Sequence, residues 1–154
     1  MLVGTSNPPH LSTPDLIATA TLVVETRGVG FTEFTPEAKR FIAEVGAQHG
    51  TLQLFLRHTS ASLVIQENAD PDVQTDLVTA LERLAPADAP WVHDAEGLDD
   101  MPAHVKAMIT GVSLHIPVTG GALALGTWQG LYLAEHRAQP HRREVVLQFI
   151  GGRR

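Results

Sequence analysis

The sequence predicts an α+β fold with a mostly antiparallel, sandwich-like sheet and three helices. Three observations carry this. Period-two alternation of apolar residues marks strands near both ends of the chain. Three segments of helical period interrupt its first two-thirds. After residue 112 the strand-like segments cluster, with a glycine turn between two of them. A chain of 154 residues fits one domain with its own core.

Residues 1–14 carry Pro8, Pro9 and Pro14 among small polar residues and read as a flexible N-terminal arm. The single domain then spans 15–154. From Leu16 to Glu25, the residues Leu16, Ala18, Ala20, Leu22 and Val24 take one face of a strand. The Arg27–Gly30 segment breaks that pattern. Thr35-Pro36-Glu37 starts a helix whose stripe is Phe41, Ile42 and Val45, with Gly50 past its end. Thr51 to Arg57 is a strand, with Leu52, Leu54, Leu56 and His58 on one face, and Ser62 to Gln66 continues as strand. Asp70-Pro71 opens a second helix with the stripe Val73, Leu77, Ala80, Leu81 and Leu84. Residues 91–100 are irregular and acidic. A third helix runs from about Met101 to Thr110, with Val105, Met108 and Ile109 expected inward. Val118-Thr119-Gly120-Gly121 is a hairpin turn, and Leu123–Thr127, Gly130–Ala134 and Glu144–Ile150 are the last strands.

The charge balance narrows the function classes. Lys plus Arg is 11 against 17 Asp plus Glu, a net charge of −6. Nucleic-acid binding needs clustered cations, so none is expected. The late basic residues Arg137, His141, Arg142, Arg143, Arg153 and Arg154 form either a local cationic patch or a solvated tail. No segment has the length of a membrane span and no signal peptide is visible, so a cytoplasmic protein is expected. There are no cysteines, which excludes disulfides and thiolate ligands. Any metal must be held by His, Asp, Glu, backbone or water.

Five segments could carry chemistry. His58-Thr59-Ser60-Ala61 puts an imidazole beside two hydroxyls, suited to a metal, a general base or a phosphate contact. Glu67-Asn68-Ala69-Asp70-Pro71 is a turn and helix cap from which Asn68 can face a ligand. His93 to His104 holds two imidazoles and four carboxylates within twelve residues, the ligand types of a divalent ion. The competing reading of that segment is an acidic surface loop with Asp100 as a helix cap. Gly126-Thr127-Trp128-Gln129-Gly130 offers a ring to stack on and an amide to read a polar edge. Glu135-His136-Arg137 ends an apolar strand face and is either an ion pair or part of a pocket, with Arg137 suited to phosphate.

In this order the five segments resemble the YjbQ family, UPF0047, associated with a secondary thiamine-phosphate synthase activity. The resemblance covers roughly residues 16–152. It implies a compact α+β fold, a homotrimer and a site near a subunit boundary. It also implies a transferase reaction, in which a pyrimidine diphosphate and a thiazole phosphate give thiamine phosphate and pyrophosphate. His58, Glu96, His104, Trp128, Gln129 and Glu135 fall on motif positions. On this reading His58, Glu96 and Glu135 are the catalytic candidates. His93 and His104 hold a divalent ion, zinc or magnesium, with His58 or Glu135 completing the set. Thr59, Ser60, Asn68, Thr127, Trp128, Gln129 and Arg137 bind the phosphorylated substrate. A metal-dependent phosphohydrolase and a trimeric module that binds a phosphorylated metabolite without turnover remain as alternatives.

Overall fold

The computed structural model describes residue 4 and residues 8–153. The elements run β1 (Leu16–Glu25), β2 (Gly30–Glu33), α1 (Thr35–Glu44), β3 (Ala47–Leu56), β4 (Ala61–Glu67), α2 (Pro71–Leu84), α3 (Asp100–Thr110), β5 (Ser113–Thr119), β6 (Ala122–Leu123), β7 (Gln129–Glu135) and β8 (Arg142–Arg153). All pairings are antiparallel. One sheet has the order β1-β8-β3-β5-β6 and the other β2-β7-β4. This is the expected α+β sandwich with three helices.

Alternation puts one face of each sheet inward. Leu52, Leu54 and Leu56 of β3 meet Val145, Leu147 and Phe149 of β8 in register, and all six are buried in the core. From the smaller sheet, Leu63, Leu131 and Leu133 close on them, each fully buried. Truncating any one of these leucines to alanine removes burial and leaves a cavity, about 2–5 kcal/mol. Gly50 and Gly151 pair across β3 and β8. A Cβ at Gly50 would lie 2.3 Å from the Ile150 carbonyl oxygen, so the two backbones close there only without a side chain.

Two strands differ from expectation. β2 is a four-residue strand that begins at Gly30 itself, too short to show an alternation. The strand expected over Leu123–Thr127 shrinks to Ala122–Leu123: the last bond to β5 is from the Ala124 N–H to the Pro117 carbonyl, and the chain then turns at Gly126, whose N–H donates to Gln129 Oε1. Gly46, with φ +66°, ends α1; Gly50 lies inside β3.

The helices differ in how they bury their apolar sides. Phe41 and Ile42 of α1 reach the core as expected. No residue of α2 is fully buried, and Leu84 is 63% exposed. This helix lies at the rim, against β2 and α3. On α3 the inward face is the reverse of the expected one. Pro102, Ala103, Lys106 and Ala107 are buried, while Met108 and Ile109 are 80% and 53% exposed. Small side chains let α3 lie close over β4, where Thr110 and Ser62 hydrogen-bond. Lys106 is buried because it pairs with Glu82 of α2. Among the described residues, no helix is long and apolar enough to cross a membrane.

Residues 8–15 form neither helix nor strand and residues 8–14 are exposed. The His10 ring nevertheless lies 4.1 Å from that of His49. The rest of the expected arm, residues 1–3 and 5–7, lies outside the described residues.

A candidate metal centre beside an apolar cleft

The end of β3, the end of β7, the start of β8 and the start of α3 meet at one end of the sandwich. Between α2 and α3, residues 85–99 contain no helix or strand. This segment brings His93 back onto Asp100 and His104. His93 Nε2 lies 2.7 Å from Asp100 Oδ2, and His104 Nε2 lies 3.3 Å from the same oxygen. One ligand atom from each of the three residues falls within 4.8 Å of the others.

His104 and Asp100 are held from behind. His104 Nδ1 donates to the Thr59 carbonyl at 3.1 Å, which leaves Nε2 with its lone pair toward Asp100. Asp100 is buried, and Arg137 Nη1 hydrogen-bonds its other oxygen, Oδ1. Burial alone would raise the Asp100 carboxyl. The hydrogen bond from His93 and the charge of Arg137 outweigh it and hold the group below the ordinary aspartate value. The set is thus two imidazoles and an ionised carboxylate, borderline ligands that suit a divalent ion. A cation within their span would replace the His93–Asp100 hydrogen bond.

A cleft of about 640 Å³ opens beside His104, lined among others by Phe55, Arg57, His58, Thr59, Met108 and Val112. Its walls are mostly apolar, and Phe55 and Met108 are well exposed in it. The reversed face of α3 therefore has a consequence: it supplies one wall of this cleft.

Several predicted site residues take other roles. His58 lines the cleft but is not in the ligand set. Its Nε2 accepts the Glu144 backbone N–H at 2.9 Å, so Nδ1 carries the proton. Burial and the Arg143 charge lower its pKa, which keeps the ring neutral and makes it a donor rather than a base. Glu135 is not a free carboxylate. It is buried at the end of the inter-sheet core, with Arg143 on both oxygens, Thr26 Oγ1 at 2.8 Å, and the N–H groups of His136 and Arg137. Its ion pair is therefore with Arg143, not Arg137. Burial opposes ionisation there, but the Arg143 hydrogen bonds dominate and lower its pKa. Ser60 Oγ accepts from Arg143 Nη2 and is spent in the same network.

Arg137 is not available to phosphate either. It donates to Asp99, Asp100 and the Glu96 carbonyl at once, clamping the irregular segment to the end of β7. Glu96 thus contributes its backbone, while its residue stays exposed and outside the ligand set. Asp100, one of the four carboxylates of that segment and the cap of its competing reading, is the central member of the candidate set, and Asp99 holds the N-cap position without a side-chain capping bond. Among the described residues the basic tail is spent in ion pairs: Arg143 is buried on Glu135, Arg142 pairs with Glu25 and Glu144, and Arg153 pairs with Asp15, while Arg154 lies outside the described residues.

Thr127, Trp128, Gln129 and Asn68 lie elsewhere. Gln129 and Glu135 are the two ends of β7, and six strand steps separate them by about 20 Å. Asn68 is tied to that far end through its N–H to the Trp128 carbonyl, 3.1 Å. Thr127, Gln129 and Asn68 line a second cleft of mixed polarity with Glu33, Lys39, Leu123 and Leu125, while Trp128 stands 64% exposed. Within one chain the five motifs therefore make two sites, not one.

A two-sheet α+β sandwich with a His–Asp–His set beside an apolar cleft defines a small protein with a candidate cation-binding centre. Residues 20–152 match the model described as UPF0047 protein YjbQ-like, and the chain belongs to that family. It is 48% identical over 131 residues to a UPF0047 protein of Synechocystis, covering 84% of this chain and 89% of the relative. It is 39% identical to the UPF0047 protein YjbQ of Escherichia coli O157:H7, covering 85% and 96%. Among solved structures, a hypothetical protein from Aeropyrum pernix K1 superposes with TM-score 0.81 at 31% identity, over 88% of this chain and 99% of that one. An uncharacterised conserved protein of the family from Clostridium acetobutylicum gives 0.79 at 34%, over 84% and 98%.

Proposed function

We propose that the protein is a divalent-metal-dependent transferase acting on a phosphorylated small molecule in the cleft beside His104. The observation that carries this reading is the convergence of His93, Asp100 and His104 within 4.8 Å. The specific reaction we propose is of thiamine-phosphate synthase type. The bond from the pyrimidine methylene to diphosphate oxygen breaks, and pyrophosphate leaves with the electron pair. The thiazole nitrogen lone pair forms the new C–N bond. Zinc or magnesium, when bound, would supply positive charge to the departing diphosphate. His58 would donate its Nδ1–H to a substrate oxygen, and Phe55 and Met108 would exclude water from the ring.

One observation favours a second reading. Trp128 and Gln129, suited to hold a second ring, stand about 20 Å from Glu135 and the metal-ligand end. A centre with one cleft fits one organic substrate and water, which is metal-dependent phosphohydrolysis.

Product analysis separates the two. Metal-loaded protein is given the pyrimidine diphosphate and the thiazole phosphate, and products are identified by mass. Thiamine phosphate, formed only with metal and lost in His104→Ala, supports the transferase. Free pyrimidine alcohol or released phosphate supports the hydrolase. Full activity after confirmed metal loss, or no metal uptake at all, overturns both.

The working form proposed is a homotrimer. Ile17 and Ile150, paired across β1 and β8, are 69% and 41% exposed, apolar surface that a second copy would cover. Sedimentation at micromolar concentration tests it, and a monomer there overturns it.

A further inference from the structure

The cleft carries a cation that the mechanism above does not use. Arg57 follows the end of β3, and its backbone N–H is anchored to the Glu144 carbonyl at 3.1 Å. Its side chain lines the cleft, is 60% exposed and holds one bond, from Nη1 to Glu144 Oε2 at 3.1 Å. Arg142, at the start of β8, does not line the cleft, and the two arginines that hold the site together are committed. Arg137 donates to two carboxylates and a carbonyl, and Arg143 is buried on Glu135 and Ser60. An exposed single bond to a carboxylate is worth little and exchanges readily for a ligand oxyanion. Two further donors stand beside it: the neutral His58 with its proton on Nδ1, and the exposed Thr59 hydroxyl. Thr59 is two residues from Arg57, at most about 7 Å along the chain, and its carbonyl touches His104.

We infer that Arg57 is the anion anchor of this cleft, which takes a ligand with a phosphate group at Arg57 and a flat apolar ring against Phe55 and Met108. A planar guanidinium suits phosphate oxygens two at a time. The apolar wall between Arg57 and His104 leaves room for a ring and little else polar. The inference rests on reading this cleft as the substrate site, but it needs no metal and is tested without one.

The probes are phenyl phosphate and inorganic phosphate, titrated calorimetrically into chelator-treated protein. Wild type binds phenyl phosphate saturably and more tightly than inorganic phosphate. Arg57→Gln weakens both by about tenfold or more, the size of one charge-assisted hydrogen bond. Phe55→Ser weakens phenyl phosphate and leaves inorganic phosphate unchanged. Both residues are exposed, so melting curves near wild type confirm that the variants fold. Unchanged binding in Arg57→Gln, or no saturable binding of phenyl phosphate to wild type, overturns the inference. Failure of metal uptake leaves it standing and sinks the transferase instead.

Discussion

Arg137 holds Asp100 by Oδ1 and so turns Asp100 Oδ2 toward the two imidazoles. The arginine decides which oxygen is free, and the ligand set depends on that choice. Asp100→Asn keeps the shape but removes the charge. We expect metal affinity to fall at least a hundredfold, measured by calorimetry with zinc. Removing one partner of this largely buried pair should also cost about 1–3 kcal/mol in denaturant unfolding.

Arg137→Gln tests the clamp separately. His93, Asp100 and His104 remain, so metal should still bind, about 10- to 100-fold more weakly, as when other residues that orient a ligand are lost. Binding equal to wild type would show that Asp100 needs no orienting partner.

Trp128→Ala addresses the division into two sites. Its position at the far end of β7 predicts less than a twofold change in zinc affinity and in phenyl phosphate affinity. A tenfold change in either would place Trp128 at the metal end, against the strand geometry.

The buried imidazole of His136 predicts an acid-labile fold. Its Nε2 lies 2.7 Å from Ser62 Oγ, and burial, with the nearby Lys106 charge, lowers its pKa from 6.5 to about 4. Between those values the unfolded chain binds a proton that the folded one refuses, so stability falls as pH drops from 6.5 toward 4. The contribution is on the order of 3 kcal/mol across that window. Asp100 and Glu135, with lowered pKa values, add a loss that begins below their unfolded values and completes as they protonate in the fold. His136→Gln should flatten the dependence of the melting temperature between pH 6.5 and 4 and leave the steeper loss below it.

Much of the architecture was legible in the sequence. The alternation of β1, the Pro36 start of α1, the Asp70-Pro71 cap of α2 and the β5–β6 glycine turn all read directly. The face of α3 did not, because counting apolar residues favours Met108 and Ile109. It cannot register that Ala103 and Ala107 permit close approach to β4. Two exposed and buried positions test this: Met108→Ser should shift stability by less than about 0.5 kcal/mol, and Ala103→Leu should cost about 1–3 kcal/mol by overpacking. At the site, the His93–His104 segment was visible as ligand chemistry. Asp100 was obscured because an aspartate before a helix is an ordinary cap. Glu135 and Arg137 looked like neighbours in one pocket, but their partners, Arg143 and Asp99, are fixed by tertiary pairing that no local pattern reveals.

The irregular segment 85–99 also holds Trp91, two residues before His93, with its indole N–H on the Pro86 carbonyl at 2.9 Å. The chain has two tryptophans. The other, Trp128, is exposed at the far end of the sandwich. Trp91 and His93 share one short stretch of irregular backbone. If a cation draws these three residues, His93, Asp100 and His104, together, Trp91 emission is expected to change on zinc addition, and a Trp128→Phe background isolates that signal.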